Sequence, residues 1–313
     1  LTLSNSAAST YAMTASAKGG TAIELTGNKS KFSGGVSSGG TKYNYPNITF
    51  KSTAPVANTF YSNEGKEIAD GTSVDNLIIE GPAQTGHTLV CIPGTITVNK
   101  TFTVNSNSTG PLSRVAIWYD KASVTNWVPT DTQAKLAFPS NNSGVATLTD
   151  VDFRDVNFTG GTVTQMSNTR VGDMGGNTNI GVTAPTIWYW TNGTFGGNIT
   201  NTITNWAITT GGSTVTNGYP LPQDTIKFTD TLLTTGATLT IGSVDAILPT
   251  LDFSLRSLPI IFDTSSKDVY IAGSLNIPAG ATAINAIGGL FYMIGGRTQT
   301  ITSSNRTWSK ACL

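Results

Sequence analysis

Apolar and polar residues alternate along many short stretches of this chain. The alternation is clearest at residues 95–99 (TITVN), 101–105 (TFTVN), 238–241 (TLTI) and 274–277 (SLNI). A period of two places successive side chains on opposite faces of an extended strand, so each stretch is predicted to bury one face. No stretch shows the 3.6-residue period of an amphipathic helix. The pattern therefore predicts an all-β protein.

Turn-forming residues separate these stretches at short intervals. Asp-Gly occurs at 70–71, Asn-Gly occurs at 192–193 and 217–218, and paired glycines recur along the chain. Asn, Asp and Gly tolerate the positive φ angles of tight turns. Short strands with evenly spaced corners favour an elongated parallel β-solenoid. Serial β-sandwich modules are the alternative, and we expect both to occur in this chain.

A frame of aromatic and polar residues occurs twice, with longer insertions in the second copy. The first copy consists of Ile117, Trp118, Tyr119, Thr125, Asn126, Trp127, Pro129, Asp131, Thr132 and Phe138. The second copy consists of Ile187, Trp188, Tyr189, Thr204, Asn205, Trp206, Pro222, Asp224, Thr225 and Phe228. Unequal insertions on a repeated frame are typical of repeat architectures. The frame predicts three β modules, at residues 1–110, 111–183 and 184–313, the last of which ends within a further repeat.

Composition narrows the classes of function. Charged residues make up 12% of the chain, with 18 basic side chains, 18 acidic side chains and one histidine. About a quarter is usual for globular proteins. Nucleic-acid affinity comes mostly from lysine and arginine clusters, and the sequence has none. No stretch has the roughly 18 consecutive apolar residues of a membrane helix. We therefore expect neither nucleic-acid binding nor a membrane span.

The low hydrophobic content, 38%, predicts thin cores of the kind found in stacked repeats. Three copies of such a chain bury more apolar surface than one, so we expect self-association as a homotrimer. Cys91 and Cys312 are too few and too distant in sequence for a disulfide framework or a metal clip. We expect no metal and no cofactor. The start at Leu1 and the abrupt stop at Leu313 indicate a piece of a longer polypeptide.

The repeated frame and the phrase after its first copy carry a resemblance to a known class of proteins. The frame and residues 151–156 (VDFRDV) resemble modules of very long Thr/Ser/Asn/Gly-rich proteins of tailed bacteriophages and of some bacterial surface proteins. The resemblance implies a fibre, spike or decoration protein at the virion surface, built of β-solenoid or β-sandwich modules and commonly trimeric. The implied partners are other virion proteins and host surface glycan. The resemblance transfers no catalytic residues.

Asp150 and Asp152 form the candidate catalytic pair. The period of two places both on one strand face, about 6–7 Å apart, while Val151 and Phe153 point into the core. Two carboxyl groups at such a separation can hydrolyse glycosidic bonds. The alternative is a pair of solvated aspartates at the end of a strand, neutralised by Arg154.

The remaining candidates for ligand contact are aromatic. Trp188, Tyr189 and Trp190 alternate faces on a predicted strand, so either two indoles or one phenol points outward. Exposed aromatic rings stack on sugars and anchor protein interfaces. The alternative is that the repeated tryptophans pack the core of each module. Trp190 has no aromatic counterpart in the first copy, where Asp120 stands, so Trp190 together with Tyr189 is the predicted contact.

These features predict a non-enzymatic structural protein of the virion surface, a phage fibre, spike or capsid decoration with a host-attachment role. A bacterial adhesin, secreted or held at the cell surface, has the same composition and is the alternative. A polysaccharide-degrading tailspike is the second alternative, and it requires Asp150 and Asp152 in an open groove.

Overall fold

The fold is all-β in a computed structural model of the chain. Every helix or strand element among the described residues is a strand. The structure describes residues 2–4, 9–12, 22–26, 30–33, 44–51, 66–81, 87–106, 114–119, 133–139, 144–161, 163–191, 196–199, 205–216, 218–231, 233, 237–241, 246–258, 260–263, 268–277, 284–287 and 291–303.

The chain divides into two compact units. Unit 1 comprises Leu1–Ser108 and Ser113–Thr183, and unit 2 comprises Thr109–Leu112 and Ala184–Leu313. The modules predicted at 1–110 and 111–183 lie together in unit 1. They do so because strands from both sides of residue 110 are hydrogen-bonded neighbours in each of its two sheets.

Unit 1 contains the strands β1 to β16. They are β1 (Thr2–Ser4), β2 (Ser9–Ala12), β3 (Ala22–Thr26), β4 (Ser30–Ser33), β5 (Asn44–Lys51), β6 (Lys66–Ile68), β7 (Ser73–Glu80), β8 (Thr88–Ile92), β9 (Thr95–Asn105), β10 (Val115–Tyr119), β11 (Ala134–Phe138), β12 (Gly144–Thr149), β13 (Val151–Arg154), β14 (Val156–Gly160), β15 (Val163–Thr169) and β16 (Gly172–Asp173).

These strands form two parallel sheets. The first has the order β1-β3-β5-β7-β9-β11-β14, with β12 beside β9 and β15 beside β12. The second has the order β16-β13-β10-β8-β6-β4-β2. The chain passes back and forth between the sheets and advances by one strand with each coil, which is the architecture of a β-solenoid.

Strand β9 shows how the sequence pattern forms a coil. Its residues Ile96 and Val98 are buried, as are Phe102 and Val104, while the threonines between them are half-buried on the outer face. All four inward side chains belong to the single hydrophobic core of unit 1. On the outer face of the sheet, Asn76 Nδ2 donates to Asn47 Oδ1 at 2.8 Å and Thr101 Oγ1 donates to Asn76 Oδ1 at 2.7 Å. Polar side chains therefore bond successive coils on the outer face, while apolar ones pack between the sheets.

Unit 2 contains the strands β17 to β29. They are β17 (Ile187–Trp190), β18 (Gly196–Asn198), β19 (Trp206–Ala207), β20 (Thr225–Lys227), β21 (Ala237–Thr240), β22 (Ala246–Leu248), β23 (Thr250–Asp252), β24 (Ile260–Asp263), β25 (Val269–Ile271), β26 (Leu275–Asn276), β27 (Ile284–Ile287), β28 (Phe291–Met293) and β29 (Ile301–Thr302).

The strands of unit 2 form three sheets with the orders β19-β17-β20-β23-β26-β29, β18-β21-β24-β27 and β22-β25-β28. Within these sheets only β17 and β19 pair antiparallel. Each full coil thus contributes one strand to every sheet, and a bond from Asn276 to Asp252 joins residues 24 positions apart in neighbouring coils. A second core lies inside the coils, in which the Phe228 and Phe253 rings stack with centroids 4.5 Å apart.

The prediction of an all-β, parallel β-solenoid is confirmed, with about seven turns. Parallel pairing between successive coils distinguishes this arrangement from serial β-sandwiches, which are built from antiparallel sheets. None of the described residues forms a helix long and apolar enough to cross a membrane.

Candidate functional site

Asp150 and Asp152 do not share a solvated strand face. Asp150 occupies the corner between β12 and β13 with a φ of 51°, whereas Asp152 lies within β13. Each side chain is only 1% exposed. The predictions of a solvated pair and of a pair in an open groove are both wrong, because the chain turns at Asp150 and the corner is buried.

Arg114, which immediately precedes β10, binds both carboxylates. Its Nε donates to Asp152 Oδ2 at 2.8 Å and its Nη2 donates to Asp152 Oδ1 at 2.6 Å, which is a bidentate pair. Its Nη1 donates to Asp150 Oδ1 at 3.2 Å. On the other side, Arg170 Nη2 donates to Asp150 Oδ2 at 2.6 Å. Arg154, predicted to neutralise the aspartates, instead pairs with Asp155 at 3.2 Å.

The buried charges lie at equivalent positions of successive coils. Thr88 pairs with Val115 and Val115 pairs with Val151, so the residues that precede them in the chain are also stacked. The pairing of β13 with β16 extends the same register by one coil. The stacked residues, which we call the charged column, are His87, Arg114, Asp150 and Arg170. Asp152 lies beside the column and binds Arg114.

Burial shifts the pKa values of two side chains in and beside the charged column. His87 is 4% exposed, and burial, reinforced by the positive charge of Arg114, lowers its pKa to about 3. Burial raises the pKa of Asp152, and the Arg114 guanidinium acts against that rise. Both shifts follow from the removal of these side chains from water.

The charged column does not offer acid–base chemistry. Glycoside hydrolysis needs one carboxyl that donates a proton and a second that remains ionised, both within reach of the sugar. Here two guanidinium groups occupy the oxygens of Asp150 and Asp152, and water has almost no access to either. The arrangement stabilises a corner of the solenoid.

The sequence carries a signal for this column that the period-two pattern does not. Arg114, Asp150 and Arg170 each stand directly before a valine that starts or precedes a strand of the second sheet, in the phrases RVAI, DVDF and RVGD. Charged residues are scarce in this chain, so their recurrence before valine indicates one structural position in successive coils.

Trp190 is fully buried, and the prediction that it is an exposed contact is wrong. Its ring packs against Trp206 with centroids 4.9 Å apart and planes at 69°. Trp188 and Trp190 both belong to the core of unit 2. Tyr189 lies on the opposite face of β17 and is half-buried, beside Ile187, which is 46% exposed. Of the two predicted contact residues, Tyr189 alone reaches the surface of the unit.

Asp224 fixes the start of β17. Its Oδ2 accepts hydrogen bonds from Trp188 Nε1 at 2.8 Å and from the Leu221 amide at 2.7 Å. Its Oδ1 accepts one from the Thr186 amide at 2.8 Å. The carboxylate is 3% exposed, so its three donors replace water. The Trp and Asp positions of the second frame therefore serve packing.

The two copies of the frame are not structurally equivalent. Ile117 points into the core of unit 1, while Trp118 lies on the other face of β10, 6.0 Å from the Arg154 guanidinium. In the second copy Trp188 points into the core and Ile187 points outward. The shared letters thus occupy opposite phases of the two strands. Trp127, of the first copy, lies outside the described residues.

Comparison with known proteins gives no counterpart for this chain. No family model matches it, and neither curated proteins nor solved structures include a significant match. Within the described part of the chain, no group of three or more His, Cys, Asp or Glu residues is arranged to hold a metal ion.

Proposed function

We propose that this chain is a structural component of a virion surface, a phage fibre, spike or capsid decoration that takes part in host attachment and has no catalytic role. The observation that carries the proposal is the stacking of parallel coils in both units. Such coils present a long surface whose shape does not depend on a ligand or on a moving part.

The use of charge supports a mechanical role. The chain has few charged residues, and the most buried ones in unit 1, Arg114, Asp150 and Asp152, bind one another. The outer faces carry threonine and asparagine, whose side chains bond from coil to coil. This pattern suits a surface that persists outside a cell better than a site that turns over a substrate.

A host contact is proposed for the face of β17 that carries Ile187 and Tyr189. An exposed aliphatic side chain beside a half-buried phenol ring offers apolar surface together with a hydroxyl group. Surface glycan is the proposed ligand, because aromatic rings stack on sugars. The proposed partners also include other virion proteins and two further copies of this chain in a homotrimer, which sedimentation equilibrium will test.

Localisation tests the proposal directly. Antibodies raised against the purified chain are applied to virus particles and to washed bacteria from the same source, and bound antibody is visualised with gold in the electron microscope. We expect label on particle surfaces. Label confined to the bacterial envelope would instead establish the secreted or surface-held adhesin.

The polysaccharide-degrading tailspike is tested separately. The purified chain is incubated with capsular polysaccharide of the host, and the length of the polysaccharide is followed by size-exclusion chromatography. We expect no shortening, since Asp150 and Asp152 are held by arginines. Shortening by the pure chain would overturn the non-catalytic part of the proposal.

A further inference from the structure

The last coil of unit 1 ends a parallel sheet. Strand β14 pairs with β11 on one side, and the described residues place no further strand on its other side. An open edge leaves a row of amide and carbonyl groups that costs free energy when buried and that pairs readily with another chain.

Residues 174–179, which we call the end segment, run along this open edge. The Phe158 amide donates to the Thr178 carbonyl at 3.2 Å, and the Thr178 amide donates to the Val156 carbonyl at 3.0 Å. These bonds form a single parallel bridge between Asn157 and Thr178 and no strand. The backbone of the end segment therefore satisfies only the middle of β14.

Two asparagine side chains add bonds to the last coil beside those of this backbone, and one of them shares the Phe153 carbonyl with the Met174 amide. Asn177 Oδ1 accepts from the Val156 amide at 3.0 Å, and its Nδ2 donates to the Phe153 carbonyl at 2.7 Å. Asn179 Nδ2 donates to the Phe158 carbonyl at 3.1 Å. A side-chain amide offers the same kinds of donor and acceptor as a peptide group. Unlike a strand, it provides no further row of backbone groups with which another strand could pair.

The conformation of the end segment prevents it from acting as one more strand. Gly175, Gly176 and Asn179 have φ angles of 103°, 70° and 59°. Extended strands require negative φ, so a segment with three positive values within five residues cannot present a continuous row of bonding groups. The ladder of unit 1 therefore stops here.

We propose that the end segment is a built-in cap that closes the β14 edge of unit 1 and blocks that edge from pairing with a second copy of the chain. The cap makes the end of the coil stack a surface of turns and side-chain amides. Any assembly of the protein then uses other faces than this edge.

Hydrogen exchange and sedimentation of the full chain test the cap. The double variant Asn177→Ala/Asn179→Ala removes the side-chain bonds to Val156, Phe153 and Phe158. We expect amide exchange at Val156 to accelerate about tenfold or more, because that amide loses its acceptor, Asn177 Oδ1. We also expect the variant to associate, with rising concentration, beyond the oligomeric state of the parent.

The matched control is Asn276→Ala in unit 2. Asn276 Nδ2 donates to Asp252 Oδ1 at 3.0 Å between two coils inside the stack, not at the edge of unit 1. We expect this variant to keep the parent's exchange at Val156 and the parent's sedimentation. Unchanged exchange or unchanged sedimentation in the double variant overturns the proposal, as does equal association of the control.

A single substitution serves if the double variant does not fold. Asn179→Gly keeps the positive φ at this position and removes only the side-chain amide. Sedimentation is the measurement for this variant, and concentration-dependent association is the expected result, because the Phe158 carbonyl loses the side-chain amide that binds it. Parent-like sedimentation overturns the proposal.

Discussion

His87, Arg114, Asp150 and Arg170 are adjacent in space because they precede paired strands, although they lie far apart in sequence. Each is held in a corner where the chain leaves one sheet for the other. Arg114 binds Asp150 and Asp152, and Arg170 binds Asp150 from the other side. Such a column adds little stability compared with apolar packing, yet the loss of one member leaves a buried charge without a partner.

Replacement of Arg114 tests this account of the column. In Arg114→Met the two carboxylates lose four hydrogen-bond contacts to one guanidinium, while the apolar volume of the side chain is largely kept. We expect the free energy of unfolding of unit 1 to fall by about 3–5 kcal/mol, the cost of breaking a buried ion pair. Urea unfolding followed by exchange at core amides of unit 1 measures the change.

Lys100→Met is the control for Arg114. Lys100 Nζ lies 2.7 Å from Asp75 Oδ2, but its side chain is 62% exposed. Exposed pairs contribute about 0–1 kcal/mol, so the control is expected to lose no more than that. Equal losses of unfolding free energy in Arg114→Met and Lys100→Met would show that the buried ion pair contributes no more to stability than the exposed one.

His87 makes the stability of unit 1 depend on pH. Its pKa falls from 6.5 in the unfolded chain to about 3 in the folded unit, mainly through burial. The unfolded state therefore binds the proton first, so the stability that neutral His87 contributes is fully present above pH 6.5 and is lost as the pH falls toward 3. Between pH 7 and pH 5 we expect a loss of about 2 kcal/mol.

His87→Gln isolates that contribution, since the chain has one histidine. Unfolding free energies of parent and variant are measured from pH 7 to pH 5, and the difference between the two slopes reports His87. Asp152 acts in the opposite direction, because its raised pKa gives stability that is lost as the pH rises, but it is common to both proteins. Identical slopes would mean that His87 protonates freely in the folded unit.

At the scale of strands, alternation predicts where the chain is extended, and a change in its phase marks a turn. Residues 146–153 are predicted to form one strand with Asp150 and Asp152 on one face, although the apolar residues Leu148 and Val151 are three positions apart instead of two. The chain turns at Asp150 into a left-handed conformation, and β12 and β13 enter different sheets. Leu148 and Val151 both reach the core because of this turn, so the prediction of one continuous strand missed a break in the pattern.

The aromatic frame alone does not determine which face of its strand points inward. The sequence Ile-Trp-Tyr does not decide which face of its strand points into the core, because each of the three side chains is apolar enough to be buried. The neighbouring residues decide: Val115 joins Ile117 in the core of unit 1, whereas Trp190 joins Trp188 in the core of unit 2. Trp190 is thus the residue that sets the phase of β17, which is why it is buried and why Tyr189 faces outward.

Gly160 determines how β14 leaves the sheet. It has a φ of 96°, and a Cβ at this position would collide with the main-chain oxygen of Phe138 in the neighbouring strand. In Gly160→Ala we expect the end of the β11–β14 pairing to separate, at a cost of about 2 kcal/mol or more. Urea unfolding gives the cost, and amide exchange at Gly161, whose amide donates to the Phe138 carbonyl, locates it.

Gly211→Ala is the matched control for this backbone effect. Gly211 also has a positive φ, 70°, but a Cβ there would have nothing within 4 Å. We expect this variant to lose only about 1 kcal/mol of unfolding free energy, the cost of a positive φ at a residue with a Cβ. Equal losses of unfolding free energy in the two variants would mean that the positive φ alone causes the effect at Gly160. The close approach of Phe138 would then contribute nothing.

For the molecule as a whole, surface charge contributes little to stability. The formal net charge is zero, and among the described residues the well-exposed ion pairs, such as Lys51 with Glu80 at 3.8 Å, are long or solvated. The close contacts that involve Arg114 are buried. Stability therefore comes from the two apolar cores and from hydrogen bonds between coils, neither of which is screened by salt.

This distribution predicts a protein whose stability is insensitive to ionic strength. Between about 0.05 M and 1 M NaCl the Debye length falls from more than 10 Å to about 3 Å, which removes exposed ion-pair energies but leaves buried pairs almost unchanged. We expect the free energy of unfolding to change by less than about 1 kcal/mol, measured by urea unfolding at both salt concentrations. Arg114→Met is measured in parallel and is expected to keep its full deficit in 1 M NaCl, because the Asp152 carboxyl group stays buried without its guanidinium partner. A deficit that disappears in salt would mean that counterions reach Asp150 and Asp152, and the corner would then be open to solvent.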